Sequence, residues 1–181
     1  MNLRRINDEV FIAAEPIVRL GSDEVVFIKR QAERSARKRA RICAHKSIDD
    51  TLHEMIIAMA ASSYIHPHRH VGTSESFHII EGQVDVVMFD ESGAVVDVIE
   101  LGDARSGRRF YYRLDTSMFH TLLIRTDFLV VHEITNGPFD RGRTILAPFA
   151  PPESDHLAVR RYMNGVSGAV ARHLEQNGRV G

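Results

Sequence analysis

Between Thr51 and Thr135 the chain is a rapid succession of short apolar runs broken by turn residues, and that rhythm most limits its fold. The runs are Leu52–Ala60, Tyr64–Val71, Ser76–Glu81, Gln83–Phe89, Ala94–Glu100, Arg109–Arg113, Met118–Arg125 and Phe128–Thr135. Asp90-Glu91-Ser92-Gly93 between two of them is a hairpin signal, because glycine takes the left-handed conformation a short loop needs. Gly102-Asp103 and Asp115-Thr116-Ser117 punctuate the later runs. Short strands at close spacing predict a mainly β sandwich or barrel.

The flanks read differently. Ile6–Leu20 suggests one or two short strands broken at Pro16. A helix is expected from Asp23 to about Ala36, capped by Ser22 or Asp23, with Val25, Ile28 and Ala32 on one face. A basic run then holds Arg34, Arg37, Lys38, Arg39, Arg41 and Lys46. It reads either as a solvated face or charge-protected strand edge, or as arginines leaning over a pocket to bind an anionic group. After Gly137-Pro138 comes a Pro-rich connection, then a helix opening at Ser154 or Asp155 with Val159, Met163, Val166 and Val170 on one face. Gly165 and Gly168 weaken that helix by about 1 kcal/mol each relative to alanine. The expected organisation is a single domain over 1–181. It comprises an N-terminal strand/helix extension (about 1–50), a barrel (about 51–136), and a connection with a C-terminal helix (about 137–181).

The net charge of -1 leaves no footprint for nucleic acid or a membrane surface. Cys43, the single cysteine, excludes an intramolecular disulfide and a thiolate metal cluster. The start Met1–Arg5 lacks the apolar core of a signal peptide, and no run is long enough to span a bilayer, so the expected location is cytoplasmic.

His68 and His70 stand two residues apart in a predicted strand, so their imidazoles share a face. Glu75 follows after four intervening residues, enough for a tight turn, and Gly82 ends the next strand. His120, inward from a late strand, is the best fourth candidate. Three imidazoles and a carboxylate suit one divalent transition metal, Fe(II), Mn(II), Ni(II) or Zn(II), with coordination positions left open.

The segment His68–Gly82 resembles the first cupin motif, H-x-H, four residues, E, six residues, G. The family's second motif is degenerate here. His120 is kept, but Leu114-Asp115-Thr116-Ser117 stands near its Pro-x-Gly turn and Ile124 where its asparagine would be. Further stretches resemble the WbuC-type cupin-fold metalloproteins: Arg37–His45, His53-Glu54-Met55, Tyr64–His70, Phe89–Gly93 and Gly137-Pro138-Phe139. That resemblance implies a cupin jelly-roll β-barrel, a bound metal and an association with O-antigen and other surface-polysaccharide loci. Cupin folds host dioxygenases, decarboxylases, isomerases, epimerases and plain binding modules. Relatives often dimerise through N-terminal strands, so Ile6–Leu20 is a candidate homodimer segment.

Around the metal residues, Glu133, His66 and Tyr64 are candidate proton-transfer groups. Arg41, Arg39, His45 and Phe77 are candidate substrate contacts. Only one of His132 and Glu133, and one of Tyr111 and Tyr112, can face inward. His78 is out of phase with Glu75 and is expected to face outward. Two functions follow as expectations. One is a metal-dependent enzyme acting on a small polar or anionic metabolite such as a sugar or nucleotide-sugar, by isomerisation, epimerisation or dioxygenation. The other is a non-catalytic metal-dependent binding or regulatory module.

Overall fold

The computed structural model describes residues 2–177. Two facing sheets form the body. The seven-stranded sheet contains β1 (Leu3–Arg5), β2 (Val10–Ala13), β3 (Arg39–Cys43), β4 (Leu52–Ala60), β6 (Glu75–Glu81), β9 (Tyr111–Leu114) and β11 (Phe128–Asn136), in the order β1-β2-β3-β4-β11-β6-β9. The five-stranded sheet contains β5 (His68–His70), β7 (Gln83–Phe89), β8 (Val95–Gly102), β10 (Phe119–Ile124) and β12 (Thr144–Leu146), in the order β12-β5-β10-β7-β8. The named pairs are antiparallel except β2 with β3. Several paired strands, such as β4 with β11, β6 with β11 and β5 with β10, are distant in sequence, as jelly-roll topology demands. The two sheets face each other as a jelly roll without closing into one ring, and the mainly β architecture with a C-terminal helix is the one the strand rhythm predicts.

Three apolar layers follow from strand alternation. Inward residues such as Ile57, Phe77, Ile79, Val84, Val86, Met88 and Leu129 fill the space between the sheets. On the outer face of the seven-stranded sheet, Ile42, Ala58 and Val130 meet Ile28 and Ala32 of α1 (Ser22–Arg34). On the outer face of the other sheet, Val87, Phe89 and Phe119 meet Val166 and Val170 of α2 (His156–Asn177). This explains why Val84–Phe89 is buried throughout: α2 covers the face that would otherwise meet water.

Local chemistry sets the element ends. The Glu24 carboxylate accepts a 2.9 Å hydrogen bond from the Gly21 backbone N–H, so the cap comes from neither Ser22 nor Asp23. The Asp155 side chain accepts from the Ala158 N–H at the start of α2. Gly82 turns β6 into β7 with φ +90°, and a Cβ there would lie 2.2 Å from the Phe128 carbonyl oxygen. Only glycine meets both demands. The basic stretch Arg39–Cys43 is no edge strand, since β3 lies between β2 and β4. No helix among the described residues is long and apolar enough to cross a membrane.

Candidate metal centre

His68 on β5 and His120 on β10 are direct partners in an antiparallel pair, and His70 follows two residues on. All three come from the five-stranded sheet, whereas Glu75 opens β6 on the other. Each residue offers one ligand atom, and the four atoms lie within 4.8 Å of one another. Nε2 of His70 is 3.3 Å from Glu75 Oε2, and Nε2 of His120 is 3.6 Å from Oε1.

The backbone sets two of the tautomers. His68 Nδ1 lies 2.9 Å from the His66 carbonyl oxygen and His120 Nδ1 lies 3.0 Å from that of Met118. A carbonyl only accepts, so each Nδ1 carries the proton and, in the neutral ring, each Nε2 turns a lone pair inward. His120 Nε2 is buried and lacks a hydrogen-bond partner. Such an orphan costs free energy unless something else takes its lone pair. A divalent cation would satisfy it, and the donor set fits one.

The protonation states of His68 and Glu75 agree, while at His120 burial is outweighed by the neighbouring Glu75 carboxylate, which raises that pKa. Burial, with help from the nearby His120, lowers the His68 pKa to about 4, so that ring is neutral near pH 7. Burial alone would raise the Glu75 pKa, but interactions with His120 and His70 hold it well below the usual carboxylate range. The group is therefore ready to ligate without losing protons from His68 or Glu75. Glu75 Oε1 also accepts a 2.7 Å hydrogen bond from the buried Tyr112 hydroxyl. Of Tyr111 and Tyr112, one of which alternation turns inward, Tyr112 is the one that supplies this phenolic hydrogen bond. Its register opposite Phe77, in phase with Glu75, is the tertiary fact that identifies it.

The four donors line a cavity of about 260 Å³ with apolar walls including Ile57, Met59, Phe77 and Leu122. Arg39, Arg41 and Glu133 line it as well. Glu133 lies between Met55 and Phe77 in the sheet, while His132 turns outward, 3.6 Å from Glu54. Burial first, and then repulsion from Glu75, raises the Glu133 pKa to about 8, with Arg41 opposing.

Other candidates lie elsewhere. Tyr64 is absent from this cavity lining, and its hydroxyl donates to the Pro151 carbonyl at 3.0 Å. His66 is likewise absent from the lining, with Nδ1 2.9 Å from its neighbour's carbonyl at Pro67. Backbone carbonyls thus engage the Tyr64 hydroxyl and one ring nitrogen of His66. His45 lines a second cavity of about 210 Å³, stacked on His53 with ring centroids 4.1 Å apart. His78 is exposed, and Cys43 is buried in the inter-sheet core, where burial raises its thiol pKa.

Comparison with known proteins adds context. The family described as Domain of unknown function (DUF6016) matches residues 22–101, a stretch that includes His68, His70 and Glu75 but stops before His120. No curated protein matches the chain. Among solved structures, protein SO0799 of Shewanella oneidensis is 13% identical, with 82% of this chain and 96% of that chain covered and a TM-score of 0.55. A variant of salicylate 1,2-dioxygenase from Pseudoaminobacter salicylatoxidans is 15% identical, covering 71% of this chain and 39% of that one, with a TM-score of 0.52. The Cnp3 cupin domain of Schizosaccharomyces pombe is 9% identical over 55% of this chain and 64% of that one, with a TM-score of 0.42.

The fold is a cupin-like jelly roll. In this jelly roll the donor cluster bridges the sheets. Three ligands come from one layer and one from the other, so a bound ion would tie the two layers together.

Proposed function

We propose that this protein is a metal-dependent enzyme acting on a small polar metabolite. The supporting observation is that His68, His70, Glu75 and His120 converge on the wall of a cavity rather than in a sealed pocket. A structural ion is normally enclosed by its four protein ligands, whereas a catalytic one keeps a position open to substrate. These four residues would hold the ion, which supplies Lewis acidity toward an oxygen of the bound molecule. Phe77, Ile57 and Met59 exclude water from one side of that molecule. Glu133, facing the same space, is the acid placed to hold or move a proton.

The WbuC-type resemblance supports a sugar or nucleotide-sugar of surface-polysaccharide synthesis as the metabolite. A cavity of about 260 Å³ suits one sugar ring, with a nucleotide extending outside it. A second reading, an Fe(II) dioxygenase, is favoured by the donor set, which suits Fe(II), and by the likeness in fold to salicylate 1,2-dioxygenase.

Elemental analysis of the purified protein, followed by turnover assays on nucleotide-sugars and small keto acids with and without oxygen, tests these readings. The expected result is one divalent ion per chain, lost in His120→Ala. Deuterium from solvent entering a recovered sugar supports proton abstraction, and oxygen uptake supports the dioxygenase. A wild-type protein that binds no divalent ion refutes the proposal. A loaded protein that binds these compounds without turning them over is a binding module instead.

A further inference from the structure

Three arginines line the cavity beside the metal donors, and their pairing differs. Arg37 donates from Nε to both Glu153 oxygens, at 3.2 and 3.0 Å, and its Nη1 lies 3.4 Å from Glu9. Arg39 donates to the Tyr64 carbonyl at 3.1 Å and lies 3.5 Å from Glu153. Both are tied into the wall, and their charges are matched by Glu9 and Glu153. Arg41 is exposed and, among the described residues, forms no ion pair with any carboxylate. Its strand position, in phase with Cys43 and opposite Ile57, directs it into the space between the sheets.

Arg41 also occupies a junction. The 260 Å³ cavity and the 210 Å³ cavity have four lining residues in common: Arg41, His70, Glu75 and Glu133. The second cavity therefore approaches the same metal donors from another side, with Arg41 and Glu133 between the two chambers. A ligand in either chamber meets both a donor of the centre and the unmatched guanidinium.

Charge decides what kind of ligand this favours. A divalent ion brings two positive charges, and Glu75 and Glu133 together bring at most two negative ones. The Arg41 charge is then left without a counterpart, in a site partly screened from water. Such a site attracts an anion and disfavours a neutral molecule of the same shape. The guanidinium fork matches a planar or tetrahedral oxyanion through two parallel hydrogen bonds.

We propose that Arg41 is the ligand-anchoring residue of this protein, and that its ligand is a small oxyanion, a carboxylate or phosphate, that also has an oxygen within reach of the His68/His70/Glu75/His120 cluster. This rests on the metal reading above and names the ligand class for the same site.

The test uses the full chain loaded with zinc. Oxalate, inorganic phosphate and the neutral oxamide are titrated calorimetrically into wild type, Arg41→Gln and Arg41→Lys, after the metal content of each has been measured. The expected result is that oxalate or phosphate binds, oxamide does not, and Arg41→Gln weakens the anion at least tenfold while keeping its zinc. Arg41→Lys should fall between, because it keeps the charge and loses the fork. Preference for oxalate assigns a carboxylate, and preference for phosphate assigns a phosphate ester. The proposal is overturned if neither anion binds, if oxamide binds as tightly as oxalate, or if Arg41→Gln binds the anions as wild type does. Absence of zinc from the wild type would instead count against the metal reading.

Discussion

Replacing Tyr112 with phenylalanine removes one oxygen atom and keeps the ring that meets Phe77 edge-on at 5.3 Å. The loss falls on Glu75. Its side chain is nearly inaccessible, and its Oε1 takes a 2.7 Å hydrogen bond from the Tyr112 hydroxyl. The next polar neighbour of that oxygen, His120 Nε2, is 3.6 Å away, too far to replace it. A hydrogen bond to a charged group contributes roughly 1.5–3 kcal/mol, and a buried acceptor left without a donor loses that amount. In a domain of this size about 1 kcal/mol moves Tm by roughly 2–4 °C. The metal-free Tyr112→Phe protein should therefore melt about 3–12 °C below wild type in a calorimetric scan. Tyr111→Phe is the control, because Tyr111 is 49% exposed on the same strand and its hydroxyl can bond to water. Chelator competition should also show zinc held about tenfold more weakly in Tyr112→Phe, since the carboxylate loses the group that orients it. Equal melting and equal zinc affinity in Tyr112→Phe and wild type would refute the assignment of Tyr112 as the residue that holds Glu75 in place.

Three more outcomes follow from the same geometry. Stripping metal with a chelator should lower Tm by roughly 5–10 °C, because an ion at 100 times its Kd adds about 2.7 kcal/mol and here bridges both sheets; a scan insensitive to chelator and to added zinc contradicts this. Gly82→Ala forces a Cβ toward the Phe128 carbonyl at positive φ, and urea titration should show a loss of about 3 kcal/mol or failure to accumulate folded protein. Asp85 is 1% exposed and receives Arg125 Nε at 2.7 Å and Arg108 Nη1 at 3.1 Å, so Asp85→Ala should cost about 2 kcal/mol in the same titration. That figure is below the usual range for a broken buried pair because both arginines are partly exposed and can be rehydrated.

Residues with a local period were legible before any fold was known. The apolar run Gln83–Phe89, bounded by Gly82 and the Asp90–Gly93 turn, defined β7 to the residue, and the i, i+2 spacing of His68 and His70 put both imidazoles on one side. The helix near the C-terminus was visible from Val166 and Val170, and its start at His156 follows from Asp155, one of the two expected openers, which accepts from the Ala158 N–H. The short β12 was missed because three residues with no alternation carry no periodic signal, and the strand exists only because β5 pairs with it. Tyr64–Val71 shrank to His68–His70 for the complementary reason, since only that part finds partners in β10 and β12.

Within the site, the sequence by itself determined which residue types were present and which shared a face, because side-chain direction in a strand depends only on local backbone geometry. Tertiary structure decided what those faces met. Strand order brought His120 beside His68 across a gap of more than fifty residues, and it put Glu75 on the opposing sheet. It also separated chemically identical neighbours: Arg39 is bound to Glu153 and the Tyr64 carbonyl, while Arg41, two residues on, faces the cavity without an ion-pair partner among the described residues. Local periodicity cannot distinguish them, since partners and burial depend on chain segments brought together only when the two sheets meet.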